Sequence, residues 1–114
     1  EQIRAVASTG GIIGVNSWPH FVDAAKPSLD RYIDHVAHIA CVAGIDHVSL
    51  GFDFTDYLND EVVTSIDPNR RITVGLESVT AVSALLDRMA ERGFSREDIR
   101  KVACANALRV IPQA

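Results

Sequence analysis

The sequence predicts an α/β protein in which two recognisable strands run parallel. Two short runs of mostly apolar residues, 11–16 and 47–53, each end in a polar residue, and an amphipathic segment separates them. A strand, a helix and a second strand joined by short connections form a right-handed parallel crossover. Apolar side chains at successive positions are typical of strands that are covered on both faces. We therefore expect both runs to lie in one buried parallel sheet.

Two parallel strands are too few to form a stable sheet. A pair of strands buries too little apolar surface to offset the conformational entropy that its ordering costs. The companion strands would come from sequence outside these 114 residues, from a partner chain or from a second copy. The sequence begins within a predicted helix and ends on helices after its last strand. We therefore favour the first source and keep a homo-oligomer as an alternative.

The first predicted elements are the end of a helix and a buried strand. Residues 1–8 carry apolar side chains at helical spacing, and the pair Gly10-Gly11 that follows is a suitable helix end. Residues 11–16 are rich in β-branched side chains and finish at Asn16, as a strand that runs into a turn would.

A long amphipathic helix is predicted between the two strands. Ser28 is a suitable N-cap, and Gly44 is a suitable residue to end the last turn. Between them, apolar residues recur at intervals that place them on one helix face. These residues are Leu29, Ile33, Val36, Ala37 and Ala40. The second strand follows after a brief turn.

The remainder of the chain predicts a long loop and then helices. Residues 54–77 lack a clear period and contain the turn sequence Asp67-Pro68-Asn69, so we interpret them as a long functional loop. A helix is expected from Val79 to Arg92. The sequence Ser95-Arg96-Glu97-Asp98 resembles a capping box that opens a short helix through Val102. A last helical stretch is expected through Leu108 to Ile111, with Asn106 capping it or tying it to the barrel.

Composition and charge exclude several kinds of partner. The formal net charge is -4 at pH 7, and no basic run is present that would neutralise a nucleic-acid backbone or an anionic membrane. No apolar stretch approaches the roughly 18 residues of a membrane span. We expect neither nucleic acid nor membrane as a partner. No targeting signal is recognisable, so the compartment stays open, with the cytoplasm as the default expectation.

The polar residues that end the two strands are the first candidates for a functional site. In a barrel of alternating strands and helices, the carboxyl ends of the strands surround one mouth, where the reaction takes place. Asn16 and Asp53 occupy those positions. A carboxylate at a strand end also has a structural interpretation, as a turn or helix cap. Both interpretations of Asp53 are open on position alone.

Several motifs together resemble one enzyme family. These are Gly11 to Asn16, His35 to Ile39, Gly44 to Val48, Gly51-Phe52-Asp53-Phe54, Gly75-Leu76-Glu77, Arg92 to Ser95, and Asn106 to Val110. In this order they resemble the carboxy-terminal part of the membrane dipeptidases, also called renal dipeptidases. The resemblance covers nearly the whole chain.

The resemblance implies a fold and an activity. Members of this family are metal-dependent hydrolases with a (β/α)8 TIM barrel and two zinc ions; they cleave dipeptides, and some open β-lactam rings or remove acyl groups. Residues 1–114 would be the last two strands and the following helices, a fragment without a complete domain. The family's zinc ligands precede this part of the sequence, so we expect no metal ligand here and no activity from the chain alone. Its partners would be the missing amino-terminal half of the barrel and a dipeptide or related small amide.

The resemblance also assigns roles to individual residues. Asp53 matches the family's catalytic Asp at the end of the eighth strand, and Phe21 falls where family members carry an aromatic residue near the substrate. We therefore predict Asp53 as catalytic, and Phe21 and Asn16 as substrate-binding. Packing at a strand end and within a loop is the competing interpretation of Asn16 and Phe21.

One departure from the family pattern bears on the substrate. The family usually has Gly-x-Asp-Phe-Asp-Gly, whereas this chain has Thr55-Asp56 after Phe54, so the second acid is shifted or lost. This leaves two alternatives to a dipeptidase. The parent would be a related amidohydrolase that acts on another amide, such as an acylated amino acid, or a non-catalytic barrel that serves as a binding or structural partner.

Other reactive residue types are given structural interpretations. His35 and His38 share one helix at a spacing that would bind zinc, but no third ligand is at hand and the helix lies away from the mouth. His20 is in a mouth loop and stays a candidate substrate contact. Arg70-Arg71 is interpreted as a solvated pair, with binding of a substrate carboxylate as the alternative. Glu77 is interpreted as a carboxylate near a helix start, and Cys41 and Cys104 as small buried side chains.

Overall fold

Two parallel strands lie at the centre of the fold. In a computed structural model that describes residues 1–112, β1 (Ile13–Val15) pairs with β2 (Val48–Leu50), with Gly14 opposite Ser49. The predicted parallel pairing is confirmed, although each strand is shorter than the apolar run that predicted it. β2 is covered on both faces, but Gly14 is exposed. Coverage of β1 on both faces stays a prediction for the complete sheet, because the companion strands were expected to come from outside this chain.

The crossover helix follows its sequence signals closely. After α1 (Gln2–Ser8), β1 and the short α2 (Pro19–Val22), the helix α3 (Leu29–Ala43) returns the chain to the start of β2 through a 3-10 turn. The Ser28 hydroxyl accepts a hydrogen bond from the Arg31 N–H at 3.3 Å, as an N-cap does. Gly44 ends the helix at φ 94°, a conformation in which glycine is the favoured residue.

The predicted long loop after β2 contains a helix that the sequence did not reveal. α4 (Asp60–Ile66) begins at Asn59, whose side-chain oxygen accepts from the Val62 N–H at 2.9 Å. None of its residues is buried. The prediction of a long loop was wrong for this part of residues 54–77, because a helix of seven residues is too short for its apolar positions to show a period. The tight turn is confirmed, since the Arg70 N–H donates to the Asp67 carbonyl at 2.9 Å.

The carboxy-terminal helices follow one another with short connections. A 3-10 turn leads into α5 (Val82–Glu91), and α6 (Arg96–Arg100) opens with the predicted capping box between Ser95 and Asp98. A π-helical turn, Lys101–Ala105, then joins α6 to α7 (Asn106–Val110). The predicted short helix through Val102 and the last helical stretch are continuous, because the wider turn keeps the chain helical between them.

The core fills the space between α3, the strands and the last helices. Its fully buried side chains are Tyr32, Ile33, Val36, Val48, Leu85, Met89 and Val102. The Tyr32 hydroxyl donates to the Val15 carbonyl at 2.8 Å, and burial raises the pKa of this hydroxyl well above its usual range. This bond fixes α3 to the carboxyl end of β1.

Asn106 ties the last helix to the sheet, as predicted. Its buried amide nitrogen donates to the carbonyls of Ile45 and Val48, both at 2.8 Å. Arg109 adds hydrogen bonds to the carbonyls of Gly10 and Asp46, each at 2.8 Å. These contacts are at the amino ends of both strands, opposite the end that carries Asn16 and Asp53.

The two cysteines are exposed, which corrects their interpretation as buried side chains. Cys41 follows the buried Ile39 by two positions on α3, and two residues of a helix rotate by roughly 200°. Cys104 stands in the same relation to the buried Val102. Both thiols therefore lie on the outer side of their helices.

Candidate functional site

The two predicted strand-end residues lie together. The Asn16 amide nitrogen donates to the Asp53 carboxylate at 3.4 Å, and the Asn16 side-chain oxygen accepts from the Trp18 N–H at 2.6 Å. The Ser17 N–H and hydroxyl both donate to the Phe52 carbonyl, at 2.8 and 2.6 Å. The parallel pairing of β1 and β2 thus continues into the two loops and sets Asn16 beside Asp53.

Asp53 has an unusual backbone conformation for a residue with a side chain. Its φ is 65°, in the left-handed region, which costs a non-glycine residue about 1–2 kcal/mol. The Asp53 residue is exposed, and its carboxylate accepts a hydrogen bond only from Asn16 among residues 1–112. Such backbone outliers cluster at active sites, where the surrounding structure holds a side chain in a required position.

Two clefts meet at Asp53. The first is small and polar, about 50 Å³, and its polar lining comes from Asp53, Ser17, Thr55, Arg71, Thr73 and Glu77. The second is about 320 Å³, and Trp18, Phe21, Tyr57, Leu58 and Ile66 form its apolar wall. Asp53 and Thr55 line both clefts. A molecule bound here would meet a carboxylate at the junction of a polar and an apolar surface.

Phe21 is an exposed residue that lines the apolar cleft. It is in α2 and is 68% exposed, so its ring is a wall of the apolar cleft and contributes little to the core. Tyr57, on the loop after Asp53, is 79% exposed in the same cleft. The altered sequence that follows Phe54 therefore contributes directly to the surface beside Asp53.

The loop from Asp67 to Thr73 is bound to the loop that follows β1. The Thr73 hydroxyl donates to the Ser17 carbonyl at 2.6 Å. The Arg71 guanidinium donates to the carbonyls of Asp23 and Ala24 at 3.3 and 2.8 Å. Thr73 was not among the predicted site residues, and Arg71 was expected to be solvated. The turn at Asp67 was a visible signal, but the partners of these side chains lie roughly fifty residues earlier in the chain.

Asp67 is a buried carboxylate that organises this loop. Its side chain is 3% exposed and accepts from the N–H groups of Arg71 at 3.0 Å and Asn69 at 3.1 Å. The ring nitrogen of His20, a candidate substrate contact, lies 3.5 Å from it. The Arg71 N–H, the Asn69 N–H and His20 hold the pKa of the Asp67 carboxyl below its usual value.

This lowered pKa predicts how stability changes with pH. A carboxyl whose pKa is lower in the folded state stabilises the fold above the unfolded value of 3.8, and that contribution is lost as pH falls through the folded value. We expect Asp67→Asn to destabilise the full-length protein at pH 7 and to differ less from the wild type as pH falls below 3.8. Urea unfolding across this range measures the difference. A constant difference at every pH would contradict the assignment.

The histidines and acids do not assemble a metal site within the described residues. His35 and His47 are each bound to a backbone carbonyl, of Val22 at 2.8 Å and of Gly11 at 2.7 Å. Across residues 1–112, no group of three or more His, Cys, Asp or Glu side chains could hold a metal ion. The residues present therefore do not fit a zinc centre by themselves.

Among residues 1–112, no helix has the length and hydropathy to cross a bilayer.

Comparison with known proteins identifies the class of this fold. An amidohydrolase from Pseudomonas aeruginosa matches with a TM-score of 0.83 and 21% identity, over 96% of this chain and 38% of its own. The dipeptidase AC, a metallopeptidase, matches with a TM-score of 0.71 and 23% identity, over 93% of this chain and 29% of its own. The fold is thus part of a TIM barrel of the kind found in amidohydrolases, which confirms the predicted fold class.

The sequence identifies the family within that class. The family model described as membrane dipeptidase, peptidase family M19, matches residues 1–114, and the chain belongs to this family. An uncharacterized dipeptidase of Schizosaccharomyces pombe is 32% identical over 96% of this chain, and the dipeptidase ataJ of Aspergillus terreus is 30% identical over 99%. The chain spans about a quarter of the length of these relatives, 25% of each.

Proposed function

We propose that this chain supplies the last two strands and the adjoining mouth loops of a zinc-dependent dipeptidase, with Asp53 as a catalytic residue. The observation that carries this proposal is the position of Asp53. Its carboxylate stands at the carboxyl end of β2, where two clefts of different polarity meet. In TIM barrel enzymes this end of the strands is where reactions occur.

A carboxylate in this position has a clear task in hydrolysis. Cleavage of an amide by water requires a base that takes a proton from the attacking water and an acid that gives one to the leaving amine. Asp53 would perform both steps in turn, since it is exposed to the clefts and only lightly hydrogen-bonded. As an anion it would also bind the ammonium group of a dipeptide. Asn16 would act as a positioning residue through its contact with the carboxylate.

The metal site would belong to another part of the protein. The described residues do not form one, and the relatives are about four times as long as this chain. We propose that two zinc ions are bound by ligands outside residues 1–114, and that the chain is a segment without a complete domain. The segment would then be inactive until it is joined to the remainder of the barrel.

A second substrate class is favoured by the apolar cleft. Tyr57, Leu58 and Ile66 extend an apolar wall away from Asp53, and the first two directly follow the residues that depart from the family pattern. An acylated amino acid would place its acyl chain against such a wall. Hydrolysis of this second amide would place the protein among the broader amidohydrolases.

The proposal is tested with the full-length protein that carries these residues. We expect it to hydrolyse dipeptides, to lose this activity when a chelator removes its metal, and to recover it with added zinc. N-acylated amino acids assayed beside the dipeptides separate the two substrate classes. A protein that binds zinc but cleaves neither class would contradict the proposal.

A further inference from the structure

A stack of three aromatic rings includes both sequence neighbours of Asp53. The ring centroids of Tyr32 and Phe52 are 5.5 Å apart, with 19° between the ring planes. Those of Phe52 and Phe54 are 4.7 Å apart, with 15° between the planes. Both separations lie in the range in which aromatic rings attract one another. Phe52 is therefore the middle ring, and the rings that flank Asp53 are in contact with each other.

The stack is anchored to the core through Tyr32. This residue is fully buried on α3, and its hydroxyl donates to the Val15 carbonyl at 2.8 Å. Phe52 is also held through its backbone, because its carbonyl accepts from the Ser17 N–H at 2.8 Å and from the Ser17 hydroxyl at 2.6 Å. The chain is thus fixed by a ring and by a peptide group immediately before Asp53.

The Asp53 carboxylate is held only weakly by contacts of its own. Its hydrogen bond from Asn16 is long, at 3.4 Å, and it accepts no other from the residues that the structure describes. The Asp53 backbone nevertheless adopts the left-handed conformation, with φ at 65°. Such a conformation persists only when surrounding contacts offset its cost. The contact between Phe52 and Phe54 spans this residue and supplies such an offset.

The spacing of the two rings agrees with a bend of the chain at Asp53. In an extended strand, two side chains on one face are about 6.6 Å apart. The Phe52 and Phe54 centroids are closer, at 4.7 Å, and a left-handed residue between them shortens the step in this way. Asp53 lines both clefts, whereas Phe52 lines neither. An effect of Phe52 on a bound molecule would therefore pass through its neighbours.

We infer that Phe52 is a positioning residue: its ring, stacked between Tyr32 and Phe54, holds Asp53 in the left-handed conformation that presents the carboxylate to both clefts. This inference rests on the proposed function, in which that carboxylate transfers the protons. Its position matters because a displacement of about 1 Å at a reacting group can lower a rate by about a hundredfold.

The test compares Phe52→Leu with the matched control Phe94→Leu in the full-length protein. Phe94 is also partly buried against the core but is not part of the stack. Leucine keeps an apolar side chain at each position and removes the flat ring. We expect Phe52→Leu to lower kcat by about 10- to 100-fold with little change in KM for a dipeptide. Phe94→Leu should retain the wild-type kcat, and Phe52→Tyr, which keeps the ring, should retain most of it.

A double-mutant cycle with Asp53→Asn separates positioning from general damage. If Phe52 acts through the carboxylate, Phe52→Leu should cause little further loss of kcat once Asp53 has been replaced. Equal fold losses in the two backgrounds would overturn the inference and leave the catalytic role of Asp53 intact. If the wild type cleaves no dipeptide, or Asp53→Asn keeps full turnover, the proposed function fails instead, and a stability measurement decides on the stack.

That measurement needs no activity. Glycine adopts the left-handed conformation freely, so Asp53→Gly relieves strain only while the stack imposes that conformation. We expect Asp53→Gly to raise the urea midpoint of the full-length wild type, and to leave that of Phe52→Leu unchanged or lower. An equal change of midpoint in both backgrounds would overturn the inference. If Phe52→Leu does not fold, Phe54→Leu, at the other end of the stack from Tyr32, replaces it in this cycle.

Discussion

Replacement of Asp53 by asparagine in the full-length protein is expected to lower kcat by about 10²- to 10⁴-fold without unfolding it. Asparagine has nearly the same size and also tolerates the left-handed conformation that Asp53 adopts at φ 65°. The hydrogen-bonding contact with Asn16 can persist, since the amide oxygen is also an acceptor. What is lost is a group that accepts and returns a proton. Steady-state hydrolysis of a dipeptide measures the effect.

Asp56→Asn is the matched control for this substitution. Asp56 is an exposed acid three residues along the same loop and does not line either cleft that contains Asp53. The Asp56→Asn substitution removes the same charge from the same region, so a general electrostatic effect would appear in both variants. We expect Asp56→Asn to retain most of the turnover. Unchanged turnover in Asp53→Asn would remove Asp53 from the mechanism.

The isolated 114-residue chain is expected to show no turnover and no bound zinc. Within residues 1–112, no cluster of side chains could hold a metal ion. The two-stranded sheet, in which Gly14 of β1 is exposed, lacks its neighbouring strands and should also cause the chain to associate or to fold poorly. Size-exclusion chromatography, elemental analysis and a dipeptide assay report these properties, with the full-length protein as the control. If the isolated chain were monomeric, bound zinc and cleaved the dipeptide, the active site would not be divided between this chain and the rest of the barrel.

The elements that could be predicted from sequence are those with local signals. The apolar face and caps of α3 follow from residues within one helix, from Ser28 to Gly44. The capping box at Ser95 is likewise contained in four residues. The parallel pairing of β1 and β2 follows from the handedness of a short crossover, so it needed only the order of the elements.

The elements that were missed depend on burial and on distant contacts. α4 has no buried residue, and its seven residues make only about two turns, which is too short for a periodic pattern to stand out. The thiol of Cys41 is exposed because a two-residue step turns it away from the stripe that contains Ile39. The helical connection of α6 to α7 through the π-helical turn is also not visible in the spacing of apolar residues. In each case the deciding information is the position of the element relative to the rest of the fold.

Some residues of the candidate site could likewise be predicted from the sequence, and others could not. Asn16 and Asp53 could be selected because each ends a predicted strand, and parallel strands bring their carboxyl ends together. Arg71 and Thr73 join the site through carbonyls of the loop after β1, and no pattern within their own segment specifies those partners. The catalytic role of Asp53 and the binding roles of Asn16 and Phe21 remain predictions.

Reconstitution from two pieces is the sharpest test of the proposed division of one active site between two parts of a barrel. The isolated chain would be mixed with the remainder of the full-length protein, expressed separately, and hydrolysis of a dipeptide would be followed. We predict turnover from the mixture with wild-type chain, and at least a hundredfold less, on the order of the loss expected for a general acid–base residue, with the Asp53→Asn chain. Equal turnover from both mixtures, or full turnover from the remainder alone, would contradict the account.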